Sequence, residues 1–498
     1  MENQLIYLMP LLLVVTGGIL IMLLSAKDQL KVQHYIYIAV GFLVVAELFQ
    51  VAFVGELYSV ELYPKLLNGM IVADSFSGYF NAILIMGAIL TLLVAEHYFE
   101  MHRYFRGEFF AIMLFSIFGM MVLVQATELI TAFIALETAS ICVYIMTGYH
   151  KVNEKRIEAG YKYLVLGSIA GAFFLLGTAL IYAGAQTTHL GELGTYISNY
   201  LDEPIPLIYI GGTMVLITFL FKIAAFPFQS WAMDVYDGAP LPVTGFMAAT
   251  FKIAVFGFIL RLMLVDFDMI KDVWDALLTV VIILTLAYGS FMAVIQKSIK
   301  RMLAASSIVH TGYLLVAFIS TGVIGKDAAA SIIFYQVAYF LSAAGAFGLI
   351  SYITSDDKLR ITYDDFKGFA LVHPSMAAAM SVFMLSLAGI PSTIGFIGKF
   401  YIFMGAIEAG YAYLAVIAII ATFISVYYYF KLIAVMYFYP SPDRASVPVF
   451  RGITPKIIGM MALAIVWGGV GNILITYFPD VDFIIDLAKV AYESLFMR

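Results

Sequence analysis

Runs of about twenty apolar residues with hardly a charge inside them recur along this chain, and a helix of that length spans a bilayer. Fourteen such runs are read, at residues 5–25, 33–54, 71–95, 109–127, 129–149, 161–184, 206–227, 241–264, 276–295, 303–323, 330–352, 374–405, 411–438 and 455–477. The expected fold is therefore an all-α polytopic membrane protein with a single integral membrane domain. Charged residues make up 12% of the 498 positions, about half the roughly 25% of soluble domains. With 63% hydrophobic residues, neither a soluble enzyme nor a disordered chain fits. The net charge of -6 gives no basic footprint for nucleic acid. Cys142 is the single cysteine, which excludes an intrachain disulfide and a cysteine-based metal cluster. The start, MENQ, lacks a basic segment, so the first run is expected to stay as a membrane helix.

Lysine and arginine in short loops set orientation. With the N-terminus outside, the cytoplasmic loops hold Lys27, Lys31, Arg103, Arg106, Lys151, Lys155, Arg156, Lys297, Lys300, Arg301, Lys358, Arg360, Lys367, Arg444, Arg451 and Lys456. The opposite loops and the tail hold Lys65, Arg261, Lys271, Lys326, Lys489 and Arg498. Sixteen against six predicts that both termini lie on the outer side.

Apart from Arg261 and Lys456, which lie at span ends and are counted with the loops, five cations remain inside the expected spans: Lys162, Lys222, Lys252, Lys399 and Lys431. A lysine at a helix centre costs roughly 2.5–3.5 kcal/mol even on the mildest scale, so intramembrane lysines are functional candidates. Lys162 lies near the start of its span, where a long side chain can also snorkel to the interface. Glu137 lies mid-span in the fifth run, Glu128 at its start, Glu47 in the second and Asp74 near the start of the third. Glu128 is also placed where a helix dipole favours a carboxylate. His310 is the one histidine away from the ends of a span.

Two of these lysines share a span with proline: FKIAAFPFQSWAMDVYDGAP at 221–240 has Lys222 before Pro227, and SLAGIPSTIGFIGKF at 386–400 has Lys399 after Pro391. Proline removes a backbone donor and breaks the helix. In a membrane, a break is tolerated only inside protein or beside a watery cavity, so a break beside an ionisable group points to an ion path. Lys222 and Lys252 lie 30 residues apart, and Lys399 and Lys431 lie 32 apart. That echo, offset by five spans, predicts two inverted repeats, spans 4–8 (residues 108–264) and 9–13 (265–440). They would follow three leading spans (1–107) and precede a last span with its tail (441–498). On this mapping Glu137 and His310 become rough counterparts.

At these residues the chain resembles the antiporter-like subunits of respiratory complex I, a family related to the large subunits of multisubunit Na⁺/H⁺ antiporters. The supporting stretches are FIALETASICVYIMTGY (133–149), EAGYKYLVLGS (158–168), the 221–240 run, AATFKIAVFG (248–257), IKRMLAASSIVHTGYLLVAF (299–318) and GIPSTIGFIGKF (389–400). Within the family it is most similar to the N-type subunits of bacterial NADH–quinone oxidoreductase. The DVYDGAP run at 234–240, lysine rather than glutamate at Lys399, and an end soon after the fourteenth span carry that similarity. One departure is Gln229, where the family commonly has histidine after the Pro-Phe pair.

The resemblance implies a proton relay. It gives Glu137 and Lys222 the role of a pair, Lys252 the centre, and Lys399 the exit side. Lys162, His310, Lys431 and Glu128 are implied as supporting groups, and Pro227 and Pro391 as the breaks. It implies a subunit of an enzyme, a proton-translocating NADH:quinone oxidoreductase, with other membrane-arm subunits and the bilayer as partners. The chain would sit in the bacterial inner membrane. A subunit of a cation/proton antiporter, or of a related complex with another electron donor, is the alternative. The sequence has no phosphate-binding loop, dinucleotide fingerprint or cysteine cluster, so no cofactor is expected in this chain. NADH, FMN, iron–sulfur clusters and quinone are expected in partner subunits.

The residue types suit the task. A free lysine holds its proton up to about pH 10.4, desolvation weakens that hold, and a nearby carboxylate restores it. A change in the Glu137–Lys222 separation would then load or unload a proton. Arginine does not deprotonate and would not serve.

Overall fold

The computed structural model describes residues 2–27, 30–57, 65–200, 205–263, 272–354, 361–440, 452–474 and 481–496. Lys271, Lys358, Arg360, Arg444, Arg451 and Arg498 lie outside the described residues, as do the expected boundaries at 264/265 and 440/441. Nearly everything described is helix. The first group is α1 (Glu2–Ser25), α2 (Val32–Leu57), α3 (Ser75–Val94), α4 (Glu96–Met101), α5 (Gly107–Gln125), α6 (Leu129–Thr147), α7 (Glu154–Ala185) and α8 (Leu190–Asn199). Then come α9 (Pro206–Lys222), α10 (Ser230–Gly238), α11 (Leu241–Phe246), α12 (Lys252–Arg261), α13 (Asp272–Ile295), α14 (Ile299–Ile324) and α15 (Lys326–Ile353). The last are α16 (Phe369–Val372), α17 (Pro374–Ala388), α18 (Ile394–Glu408), α19 (Ala412–Phe438), α20 (Thr454–Leu474) and α21 (Val481–Glu493). A short antiparallel pair, β1 (Lys65–Leu66) and β2 (Ile71–Val72), precedes α3.

Eleven helical segments among the described residues are long and apolar enough to cross a membrane. Expected spans 7, 12 and 14 appear instead as the shorter apolar helices Pro206–Lys222, Pro374–Ala388 and Thr454–Val470. For two of them the reason is a proline: span 7 stops at Lys222 ahead of Pro227, and span 12 divides into α17 and α18 around Pro391.

Burial sorts the spans into layers. The segments Leu241–Arg261 and Ile299–Ile324 are buried throughout their span, and Lys326–Ile353 nearly so. Leu5–Ser25, Val32–Ala52 and Ala412–Phe438 bury only a third of theirs, presenting Leu23, Leu48 and Phe423 outward. An unsatisfied polar group in lipid costs several kcal/mol, and the inner layer is where this fold keeps its polar side chains.

The two breaks are built alike. After α9, the Ala224 amide bonds the Phe221 carbonyl and the Ala225 amide bonds that of Leu220; after α17, Gly389 bonds Ser386 and Ile390 bonds Leu385. Each is a Schellman ending with a left-handed residue, Ala224 (φ 58°) or Gly389 (φ 77°). A second likeness concerns helix starts. Glu128 caps α6 and the Leu129 amide bonds the Thr188 carbonyl; Ser298 caps α14 and the Ile299 amide bonds that of Ile361. Counted from these caps, Glu137 falls level with Ser307, and His310 with Ser140. The rough equivalence of Glu137 and His310 therefore shifts by about one helical turn.

Arg261 is not the outer-loop cation expected from the sequence. It is fully buried at the end of α12, with both guanidinium arms on the Asp74 carboxylate at 2.7 and 2.8 Å and Nε on the Val124 carbonyl at 2.9 Å. Asp74 also caps α3 by accepting from the Ser77 amide at 2.8 Å. A bidentate pair satisfies both partners, which is how these charges are accommodated in an apolar core. Lys300 departs from expectation in the same way. It is buried at the start of α14 and donates to the Asp237 carbonyl at 3.0 Å and to that of Ala239.

Candidate functional site

Lys222 occupies the last turn of α9, where free carbonyls favour a cation. It is 1% exposed. Its Nζ lies 3.5 Å from Oε1 of Glu137 on α6 and donates to Ser140 Oγ and Tyr144 Oη, each at 2.8 Å. Glu137, Ser140 and Tyr144 lie three and four residues apart, so one face of α6 supplies all three. Two glycines of α7 leave them room. A Cβ at Gly167 would sit 2.0 Å from Tyr144 Oη, and one at Gly171 would sit 3.2 Å from Glu137 Oε1.

The break after Lys222 frees backbone groups, and side chains from other helices take them. Trp231 Nε1 donates to the Phe221 carbonyl at 3.0 Å, and the Phe226 amide donates to Thr285 Oγ1 at 2.9 Å. Thr311 Oγ1, on α14, donates to the Ile223 carbonyl at 2.9 Å. The peptide before Pro227 is cis.

Lys252 follows a π-helical turn, Met247–Phe251, a distortion often found at functional sites. Its Nζ donates to the Ser307 carbonyl at 3.0 Å, to Ser307 Oγ at 2.8 Å and to Thr311 Oγ1 at 2.9 Å. Thr311 thus links Lys252 to the break beside Lys222. One residue before Thr311 and one turn on from Ser307, His310 Nδ1 meets Tyr335 Oη at 2.5 Å and Nε2 meets Tyr429 Oη at 3.1 Å. Tyr429 also bonds Ser306.

Lys399, on α18, is 2% exposed. Its Nζ donates to the Leu387 carbonyl, freed by the second break, at 2.8 Å and lies 4.7 Å above the Tyr313 ring. The His310 ring meets the same tyrosine edge-on, centroids 5.6 Å apart. Tyr313 stands between His310 and Lys399.

The other expected residues fall elsewhere. Lys162 is at the half-exposed end of α7, paired with Glu158 at 2.7 Å and Asp234 at 3.4 Å. It joins the ion cluster of Arg301, Lys155, Asp234 and Asp237, not the buried line. Lys431 is half-buried with Nζ 4.3 Å from the centre of the Tyr363 ring. Glu128 accepts from the Thr131 amide at 2.9 Å and Thr188 Oγ1 at 2.8 Å. Burial works against its charge, but these bonds hold its carboxyl below the usual range. Gln229 is buried in the first break, with Oε1 unpaired among the described residues. A carboxamide there can bond but not titrate.

Tyr144, Ser140, Ser307, Thr311, Tyr313, Tyr335 and Tyr429 are the site residues that sequence reasoning missed. For Ser306, Ser307, His310 and Thr311 a signal existed, since spacings of three and four put them on one face of an apolar helix. Tyr313 follows His310 by three residues on α14, and Tyr144 shares a face of α6 with Glu137 and Ser140, whereas Tyr335 and Tyr429 come from two further helices and no local pattern marks them. Among the described residues no three His, Cys, Asp or Glu side chains gather to hold a metal ion. The arrangement instead offers proton-exchanging groups from several helices in one buried line.

Residues 126–425 match the family described as NADH:quinone oxidoreductase/Mrp antiporter, TM. The chain is 39% identical to NADH-quinone oxidoreductase subunit N of Trichlorobacter lovleyi over 410 residues, 82% of each chain. It is 38% identical to subunit N 1 of Thermodesulfovibrio yellowstonii over 435 residues, 87% of this chain and 90% of the relative. Among solved structures, a chain of respiratory complex I from Thermus thermophilus superposes with a TM-score of 0.78 at 28% identity, covering 94% of this chain and 98% of that one. A chain of the Mrp complex from Dietzia superposes with a TM-score of 0.83 at 19% identity over 100% and 98%, a likeness of fold.

Proposed function

This chain belongs to the NADH:quinone oxidoreductase/Mrp antiporter transmembrane family, and from that premise we propose that it is a proton-translocating membrane-arm subunit of an NADH–quinone oxidoreductase. It is a multi-pass membrane protein of bacterial respiratory complex I, assembled with other membrane-arm subunits. The carrying observation is the contact between Glu137 and Lys222, 3.5 Å apart, at the head of a buried line that continues through Lys252 and His310 to Lys399.

In this reading a proton from the cytoplasm reaches Lys222 near the first break. It crosses to Lys252 through water at the first break, beside Thr311, which bonds both Lys252 and the Ile223 carbonyl, then moves past the tyrosines around His310 and leaves past Lys399. Both termini lie on the outer side, in keeping with the lysine and arginine count. Residues 108–264 and 265–440 form the two inverted repeats, a reading supported by the matched Schellman endings and matched helix caps. Electron transfer belongs to partner subunits holding NADH, FMN, iron–sulfur clusters and quinone, and this chain supplies charge movement alone. Lys162, Lys431 and Glu128 support the relay from its margins.

The energy scale is adequate. Moving one charge against about 200 mV costs about 4.6 kcal/mol at roughly 2.3 kcal/mol per 100 mV. A change of three to four pKa units is worth about 4–5 kcal/mol. The test is Lys222→Ala in the assembled complex. Proton translocation measured in sealed vesicles is expected to fall strongly, with electron transfer reduced alongside it. Wild-type levels of both would remove Lys222 from the relay. Co-purification separates this reading from the antiporter one: quinone-module subunits support it, and small antiporter subunits oppose it.

A further inference from the structure

The ion cluster around Asp237 reaches the relay through one short helix. α10 has nine residues, about 13 Å of rigid rod at roughly 1.5 Å per residue. At its start, Trp231 Nε1 donates to the Phe221 carbonyl at 3.0 Å, next to Lys222. The Trp231 ring stacks on Tyr163 with centroids 4.4 Å apart, and Tyr163 meets Tyr144 edge-on at 4.6 Å. Tyr144 is the residue whose hydroxyl takes Lys222 Nζ. Trp231, Tyr163 and Tyr144 are all buried, so this end of α10 has little room to shift without moving that hydroxyl.

The other end is fixed by charge. Asp237 has a side chain only 5% exposed, and its Oδ2 meets both Lys155 of α7 at 2.7 Å and Arg301 of α14 at 3.4 Å. Lys300 of α14 donates to the carbonyls of Asp237 and Ala239. Gly238 lets this end lie close on α7, since a Cβ there would sit 2.4 Å from that of Ala159. Lys300 and Arg301 stand in the first turn of α14, where the helix dipole disfavours cations. Asp237 and the carbonyls at the end of α10 supply the opposite charge. Asp234 and Glu158 are half-exposed, where an ion pair contributes little, which leaves Asp237 as the anchor.

We infer that Asp237 is a positioning residue for Lys222, holding it beside Glu137 and Tyr144 through α10. α14 also carries Thr311 and His310, so the same tie lets a shift of α14 alter the Glu137–Lys222 separation. A cluster that served the surface alone would need neither a buried carboxylate nor a buried lysine on the carbonyls of α10. The inference rests on the relay proposed above, whose own test is Lys222→Ala.

The test reads proton translocation by the assembled complex in sealed vesicles, together with hydrogen–deuterium exchange in the peptides covering 221–232. Asp237→Asn is expected to lower pumping about fivefold or more, the lower end of couplings between distant sites, and to speed exchange in those peptides. Arg301→Gln is expected to do the same to a smaller degree, and Arg301→Lys, which keeps a cation for its contact, to recover both. Asp364→Asn, in the exposed ion pair with Lys367, is expected to change neither. In a Tyr144→Phe background, where the contact of α10 with Lys222 is already cut, Asp237→Asn is expected to remove little more. Wild-type pumping or unchanged exchange in Asp237→Asn, no recovery in Arg301→Lys, or an undiminished loss in the Tyr144→Phe background would each overturn the inference. Should the Asp237→Asn complex fail to assemble, the two Arg301 variants, at a site about one-third exposed, decide it. Wild-type pumping in Lys222→Ala would remove the relay, whereas the exchange response to Asp237→Asn reads the tie by itself, so the two failures are distinguishable.

Discussion

Lys252 and Thr311 share a hydrogen bond of 2.9 Å, and the same hydroxyl donates to the Ile223 carbonyl at 2.9 Å. One small side chain therefore joins the central lysine to the helix break that begins one residue after Lys222. Thr311→Val keeps the shape and removes the link. Proton translocation is expected to fall while the complex still assembles, at a stability cost of about 1–3 kcal/mol for the unpaired carbonyl. Vesicle pumping equal to wild type would show that the link carries nothing.

Charge alone is not enough at the end of α9. Lys222→Arg retains a cation near Glu137 but does not deprotonate. It is expected to assemble and to lose pumping nearly as fully as Lys222→Ala. A double-mutant cycle between Lys222→Ala and Glu137→Gln should give a coupling of about 0.5–3 kcal/mol, and zero coupling would separate the two residues.

Gly167 tests the relay without touching an ionisable group. A methyl group there would lie 2.0 Å from Tyr144 Oη, so Gly167→Ala must push Tyr144 off Lys222. Reduced pumping is expected, whereas Gly191→Ala, with no atom within 4 Å, is expected to be silent. Equal rates in the two variants would show that Tyr144 does not matter to Lys222.

Asp74 supplies a pH dependence. Burial opposes its charge, but the Arg261 charge and hydrogen bonds outweigh burial and hold its carboxyl below the usual range. Because the folded value is lowered, the stabilisation is fully present above the unfolded value of about 3.9. It is lost as pH falls through the lower folded value. Asp74→Asn breaks a buried pair and is expected to cost about 3–5 kcal/mol at pH 7. Thermal unfolding of wild type and variant should converge on acidification, and a constant gap down to pH 2 would contradict the assignment.

Lys162 should matter little. Its side chain is 42% exposed within a surface ion cluster, where single pairs contribute about 0–1 kcal/mol. Lys162→Gln is expected to pump within about twofold of wild type. A loss as large as that of Lys222→Ala would move Lys162 from a supporting place into the central relay.

Much of the candidate site was legible because the bilayer penalises charge. Lys222, Lys252 and Lys399 stood out as cations within apolar runs, and Pro227 and Pro391 marked the breaks beside two of them. The same rule misplaced Arg261, which sits at the end of its run and read as a loop cation until Asp74 was seen beside it. It also could not grade Lys162, since the end of a span permits both snorkelling and burial. Tyr335 and Tyr429 were not legible at all, because tyrosine in an apolar helix is unremarkable unless its partner is known.

The sequence by itself determined that this is a helical membrane protein with ionisable groups in its interior, because hydropathy and charge are local properties counted along the chain. The tertiary structure decided which charges meet. Glu137 and Lys222 are 85 residues apart in sequence and 3.5 Å apart in space, and Asp74 meets Arg261 across 187 residues. Pairings of that kind depend on how helices pack, and periodicity within one helix carries no record of its neighbours.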